Sequence, residues 1–227
     1  RDWSSDVCSS DLLVAVALMF PPSPDSRQVP ATTLRELVRD RDGTFFAVSN
    51  FFLMFGFYAP FLIVILDAQR IGASYLDATY LLGYMAAGSA IGRVSTVEIV
   101  KSWGVVNTHR LFVLLTFLTT LGFMGSDTYA LLVIFSSIYG FFASGIMSTL
   151  MLVCEDFWNR PSTIVILLIP GATTSASIAC RIIEEYQGVS IQSKVFVSAM
   201  YFFALLFVIF VKRRPVEKPD LSNTELS

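Results

Sequence analysis

The sequence predicts an all-α membrane protein that crosses the bilayer several times, and three observations lead to that prediction. Of its 227 residues, 54% are hydrophobic and 15% are charged, and the mean hydropathy is +0.64. Apolar stretches of about twenty residues recur, which is the length a helix needs to cross the hydrocarbon core. Lysine and arginine collect on one side of the resulting topology. Apolar helices buried in a large soluble core are the alternative, but few polar residues are available to cover such a surface.

Composition also limits the functions to consider. Sixteen basic residues against eighteen acidic ones give a net charge of −2, so there is no basic excess for binding nucleic acid. One histidine and three cysteines leave little for a metal centre or a disulfide framework. We therefore expect no metal, no cofactor and no nucleic-acid partner.

Residues 1–12 differ from the rest of the chain. They are rich in Ser and Asp, and residues 2–12 match the translation of a common sequencing-library adapter residue for residue. We expect this segment to be non-native and exclude it from the fold. Residues 13–20 then resemble the end of a further apolar helix, helix 6, whose beginning would precede this sequence. We thus expect a C-terminal fragment.

Six apolar stretches predict six membrane spans, and the remaining segments predict the loops. Residues 21–43 are predicted to form a central cytoplasmic loop. This loop begins with a proline-rich stretch and continues with a short amphipathic helix at 33–40 that lies on the membrane surface. The polar tail at 212–227 is expected to be disordered and cytoplasmic. The predicted spans are about 44–66, 78–100, 111–125, 129–154, 161–180 and 195–211.

Basic residues orient these spans. Eleven fall on one side of the membrane, whereas the other side holds three, Arg70, Arg181 and Lys194, in short outer loops at 67–77, 126–128 and 181–194. The positive-inside rule then places the C-terminus in the cytoplasm, and we expect a multi-pass protein of the plasma membrane. The eleven inner residues are Arg27, Arg35, Arg39, Arg41, Lys101, Arg110, Arg160, Lys212, Arg213, Arg214 and Lys218.

The first span carries a motif that should interrupt its helix. SNFFLMFGFYAP places Asn50, Gly56 and Pro60 in an otherwise apolar stretch. Proline removes a backbone hydrogen bond and glycine admits close approach, so the outer half of this helix should bend or break. Ordinary packing of small residues is the alternative explanation.

The second span contains a charged residue, Arg93, in LLGYMAAGSAIGR. An arginine inside a membrane is costly, so it indicates a functional site that faces a cavity or a partner. Ser89 shares its helix face, and Gly92 lets another helix approach. Alternatively, Arg93 snorkels to the cytoplasmic end or pairs with Glu98, and Glu155 and Asp156 are other candidate partners.

These segments resemble the monocarboxylate transporters, a branch of the major facilitator superfamily. The stretches that carry the resemblance are SNFFLMFGFYAP, LLGYMAAGSAIGR and YGFFASGIMSTL, in register with helices 7, 8 and 10. The resemblance implies the C-terminal six-helix half-bundle of a twelve-helix transporter, with Arg93 binding the substrate carboxylate. Lactate-type members have an aspartate where this chain has Ser89, so the usual proton coupling is not implied. Further substrate-binding candidates are Asn50, Phe57, Tyr58 and Ser148, and helix-break or gating candidates are Gly56, Pro60, Gly92, Pro170 and Gly171.

The resemblance implies transport of a small organic anion, with or without protons, by alternating access. Its partners would be the lipid bilayer, the missing N-terminal half-bundle and a single-span ancillary subunit. A non-transporting six-span scaffold or receptor-like subunit is the alternative. A membrane enzyme ranks third because the predicted spans hold no histidine to act as a base, and we predict no catalytic residue. The one histidine, His109, is predicted to be solvated in an inner loop.

Overall fold

The computed structural model describes residues 41–126, 128–158 and 191–212, with the side chains of 155–158 left aside. In these ranges the chain is helical and contains no strand. The described helices are α1 (Arg41–Phe57), α2 (Ala59–Arg70), α3 (Tyr75–Trp103), α4 (Val105–Phe123), α5 (Tyr129–Trp158) and α6 (Ile191–Ile209).

Local signals explain where these helices begin and end. The Ser74 side chain caps α3 by accepting a hydrogen bond from the backbone N–H of Asp77 at 3.2 Å. Two linkers need positive φ, and glycine supplies it: Gly72 (φ +87°) follows α2, and Gly104 (φ +80°) separates α3 from α4. Gly104 is the only residue between α3 and α4, so the chain turns sharply from one helix into the next.

The helices pack as two close pairs joined by α4. The main contacts are α3 with α5 and α1 with α6, and α4 packs against both α5 and α6. Large buried side chains fill the space between them, and aromatic rings dominate this core. The largest fully buried side chains include Tyr139, Tyr201, Phe46, Phe112 and Phe123.

Four described segments are long and apolar enough to cross a membrane: Arg41–Arg70, Val105–Phe123, Tyr129–Cys154 and Ile191–Ile209. Helix α3 has the length but is less apolar, so it is not among them. Exposed Tyr75 and Trp103 mark its two ends, about 42 Å apart at 1.5 Å per residue. Interfacial aromatic residues at that separation fit the thickness of a bilayer with its headgroups, so α3 can also span it.

The structure corrects several boundaries predicted from the sequence. Helix α1 begins at Arg41, inside the predicted loop 21–43, and α4 begins at Val105 rather than at 111. Helix α6 begins at Ile191 rather than at 195, and the predicted outer loop 67–77 shrinks to residues 71–74. Hydropathy located the apolar centres, but polar residues continue each helix beyond them. The predicted segments at 1–12, 13–20 and 161–180, the helix at 33–40 and the tail from 213 lie outside the described residues.

Candidate functional site

Arg93 lies near the middle of α3, on its exposed side. The midpoint of Tyr75–Trp103 is Ser89, so Arg93 is one turn, about 6 Å, beyond it along the axis. Glu98, the partner suggested by sequence, instead pairs with Lys101 at 2.8 Å, and both side chains are well exposed. Among the described residues Arg93 has no ion-pair partner. The side chains of Glu155 and Asp156 are not described.

A close crossing with α5 fixes the backbone that carries Arg93. A Cβ atom on Gly88 would overlap the carbonyl oxygen of Ser137, and one on Gly92 would overlap Phe141 O and Ser144 Oγ. From the other side, a Cβ on Gly140 would overlap the carbonyl oxygen of Met85. The two backbones are therefore in direct contact, which is the packing that small residues allow between membrane helices. Arg93 follows Gly92 directly and is held by this rigid pair.

Ser89 and Ser148 lie on the same helix pair as Arg93. Ser89 is half-buried, one turn before Arg93 on α3. Ser148 is half-buried on α5, one turn beyond Ser144, and its hydroxyl donates to the Ser144 carbonyl at 3.0 Å. The one hydroxyl proton of Ser148 is thus engaged within α5, and neither serine carries a charge at neutral pH. The structure thus brings three of the predicted binding residues onto α3 and α5.

The first span is interrupted at Tyr58, between the predicted breakers Gly56 and Pro60. Helix α1 ends at Phe57 and α2 begins at Ala59, and the amide of Phe61 donates to the carbonyl of Tyr58 at 3.3 Å rather than to Phe57. Pro60 has no N–H to donate, which helps to free the carbonyls of the preceding turn. Gly56 lies against the ring of Tyr201, where a Cβ atom would approach Cε2 to 3.1 Å.

The remaining predicted binding residues lie in a different part of the bundle. Asn50 is fully buried on α1, and its Nδ2 donates to the Phe46 carbonyl at 2.8 Å. Phe57 is half-buried against Phe61, with ring centroids 5.9 Å apart, and Tyr58 is 40% exposed. Helix α1 has no extended contact with α3, so these residues are not assembled around Arg93. Pro170 and Gly171 lie outside the described residues.

His109 is buried in α4, which corrects the prediction of a solvated loop residue. Its Nδ1 lies 2.9 Å from Thr149 Oγ1, and its ring lies 5.4 Å from the ring of Phe46. The Thr149 hydroxyl donates to the Gly145 carbonyl at 2.8 Å, so Nδ1–H is the donor to Thr149. Helical spacing gives the missed signal, since His109, Val113 and Thr116 share one buried face.

A buried ion pair is the polar feature that sequence analysis missed entirely. Lys194 Nζ lies 2.6 Å from Asp67 Oδ2, with side-chain exposures of 7% and 4%. Lys194 also donates to Ser126 Oγ at 3.3 Å and lies 4.4 Å from the ring centroid of Phe123. Both charged residues were assigned to outer loops because charge was read as a loop marker. Yet Lys194, Val197 and Tyr201 follow one helical stripe, as the buried residues of α6 confirm.

In the described part of the chain, no three His, Cys, Asp or Glu residues group closely enough to hold a metal ion. The chemistry available at Arg93 is that of an exposed guanidinium, with the Ser89 hydroxyl one turn before it on α3. A guanidinium offers five N–H donors in a planar fork, which matches a carboxylate in a bidentate manner. The arrangement is suited to holding an anion rather than to breaking a covalent bond.

Comparison with known proteins relates this chain to transporters. It is 27% identical over 128 residues, 56% of its length, to the MFS-type transporter pynF of Aspergillus niger. It is 33% identical over 97 residues, 43% of its length, to the Aspyridones efflux protein apdF of Emericella nidulans. The alignments span 30% and 20% of the lengths of these two relatives. No family model and no solved structure matches the chain.

The helices and the relatives together define the class. The described structure is helical, four of its segments can cross a membrane, and both relatives are transport proteins by name. The chain is an all-α, polytopic integral membrane protein, similar over part of its length to transporters of the major facilitator type.

Proposed function

We propose that this chain forms part of a transporter for a small organic anion and that Arg93 binds the anionic group. The position of Arg93 carries the proposal: this exposed arginine is carried one turn, about 6 Å along the axis, past the midpoint of helix α3. Such a charge is tolerated in a membrane when it faces a water-filled cavity or a partner. A carboxylate is the group that its donors fit best.

Transport by alternating access would place this chain on one side of the substrate. In such transporters the substrate lies near the bilayer midplane, and the two halves of the molecule move around it. Arg93 on the rigid α3–α5 pair would form one wall of that site, with Ser89 as a hydroxyl donor one turn away and Ser148 on the neighbouring helix. The N-terminal half-bundle would form the opposite wall.

Efflux is the direction we propose, because one relative is named an efflux protein for aspyridones. The monocarboxylate-like class remains the narrower form of the proposal. A non-transporting scaffold is the competing function, and a water-filled Arg93 site distinguishes the two. We further propose the plasma membrane, a cytoplasmic C-terminus and a single-span ancillary subunit as partner, in keeping with the resemblance.

Substitution of Arg93 in the full-length protein tests the proposed function. Arg93→Ala should abolish transport of organic anions, and Arg93→Lys should keep only part of it because the bidentate fork is lost. The matched control is Lys101→Ala, which removes an exposed cation from the same helix. Unchanged anion transport by Arg93→Ala, at equal surface expression, would remove Arg93 from the site. Absence of anion transport by the intact protein would favour the scaffold.

A further inference from the structure

The Asp67–Lys194 pair joins three parts of the bundle at one end. Asp67 lies in the last turn of α2, Lys194 in the first turn of α6, and Ser126 directly after α4. The three helix ends therefore meet at one cation. At 2.6 Å the Nζ–Oδ2 contact lacks the alignment of a hydrogen bond, so charge rather than direction holds it.

The other end of α2 is the break at Tyr58. Helix α2 has only 12 residues, and its continuity with α1 is lost at that residue. Its side chains pack chiefly against α3, with smaller contacts to α5 and α6. Helix α2 is thus a short segment with the interruption at Tyr58 at one end and the ion pair at the other.

Energetics distinguish a switchable contact from a permanent one. Removing two charges from water is costly, and this cost offsets most of their attraction, so a buried ion pair contributes little net stability and can separate. Losing only one of the two partners is different, because it leaves a single charge buried without compensation. The Phe123 ring at 4.4 Å and the Ser126 hydroxyl give Lys194 alternative contacts. Both residues also line a groove of about 250 Å³ between α4 and α5.

We propose that the Asp67–Lys194 pair holds α2 closed against α6 and α4, and that its release lets α2 turn about the break at Tyr58. The pair sets the position of α2, whereas Arg93 on the α3–α5 crossing stays fixed. This inference rests on the proposed transport function only for its consequence, which is opening and closing of the site at this end of the bundle.

Thiol labelling of the full-length protein in membranes tests the proposal without measuring transport. In a cysteine-free background, Ala68→Cys reports on α2 and Ala143→Cys reports on α5, because both alanines are buried in the closed structure. The test variant, Asp67→Asn with Lys194→Met, removes both charges and leaves neither buried ion unpaired. The matched control is Glu98→Gln with Lys101→Met, which removes the exposed pair on α3.

We expect the neutral variant to raise the labelling rate of residue 68 at least tenfold, with residue 143 protected and the control unchanged. A charge exchange, Asp67→Lys with Lys194→Asp, should return the rate to within threefold of the original. It also serves as the test if the neutral variant does not fold.

The proposal is overturned if residue 68 stays within twofold of its original rate, or if residue 143 labels equally fast, because the whole bundle has then opened. It is likewise overturned if the exchanged pair labels like the neutral one. Labelling of residue 68 does not depend on transport, so this test stands even if Arg93→Ala transports anions normally.

Discussion

The hydroxyl of Tyr139 on α5 donates a hydrogen bond to the backbone carbonyl of Phe57, 2.8 Å away, at the residue where α1 ends. Tyr139 has one hydroxyl proton, so in its second contact, at 2.9 Å, it accepts from the Tyr201 hydroxyl on α6. Both tyrosines are fully buried. The carbonyl freed by the helix break is thereby satisfied by Tyr139 on α5, which Tyr201 on α6 holds in turn, and the position of the break along the span is set.

Tyr139→Phe should destabilise the protein more than Tyr201→Phe does. The first change leaves the Phe57 carbonyl without its donor, and an unsatisfied buried group costs about 1–3 kcal/mol. The second removes only a hydrogen bond that Tyr139 accepts. Thermal unfolding in detergent should therefore show a lower Tm for Tyr139→Phe. Equal Tm values for the two variants would contradict the direction assigned to this hydrogen-bond chain.

Gly88→Ala should prevent α3 from packing against α5. Its Cβ would overlap a backbone oxygen of Ser137, which cannot rotate away as a side chain could. Gly83→Ala is the matched control, because it lies in the same helix with no atom within 4 Å of the added carbon. We expect little folded Gly88→Ala protein by size-exclusion chromatography, and normal yield for Gly83→Ala. Comparable yields would mean that the two helices can separate without cost.

Sequence periodicity predicted the helical class and the break in the first span, because apolar length and proline chemistry are local properties. It misjudged where α4 and α6 begin, since hydropathy alone treats a charge as the end of a span. His109 and Lys194 both continue the buried stripe of their helix, and their polar groups find partners on other helices. Those partners are 40 and 127 positions away in the chain, so no local pattern could identify them.

Arg110→Met should loosen the end of α6 while leaving the rest of the bundle intact. The Arg110 guanidinium on α4 donates to the carbonyls of Val208 and Val211 at the end of α6, where the Val208 carbonyl also accepts from the amide of Val211 at 3.3 Å. Methionine keeps the aliphatic part of the side chain but removes these donors. Hydrogen exchange should accelerate at the amides of the last turn of α6 and remain slow in α5. The control, Asn107→Ala, removes only one contact to Arg110 and should have a smaller effect.

The sequence predicted only part of the candidate site, because it shows which residues are unusual but not which helices they face. Arg93 is conspicuous in the sequence because a charge in an apolar stretch is rare, and Ser89 follows from the helical repeat. Asn50 shares the same rarity but is buried between α1 and neighbouring helices, with its Nδ2 bonded within its own helix. Spacing along one helix cannot tell which neighbouring helix a polar side chain faces. The sequence therefore could not show that Asn50 is buried whereas Arg93 is exposed.

Ser89→Asp should make transport depend on pH if Arg93 binds the anion. Residue 89 lies one turn before Arg93, so an ionised carboxylate there would occupy the guanidinium and compete with the substrate. Acidification protonates the carboxylate, removes its charge and frees Arg93, so transport should be low at neutral pH and rise as the pH falls. Ser89→Asn has nearly the same size but does not titrate, and it should leave the pH profile unchanged. The ordinary pKa of an aspartate side chain is about 3.9, so initial rates are compared in proteoliposomes between about pH 3 and 7. Profiles of the same shape for the two variants would show that residue 89 does not communicate with the anion site, whereas a rise with increasing pH would mean that the carboxylate assists binding.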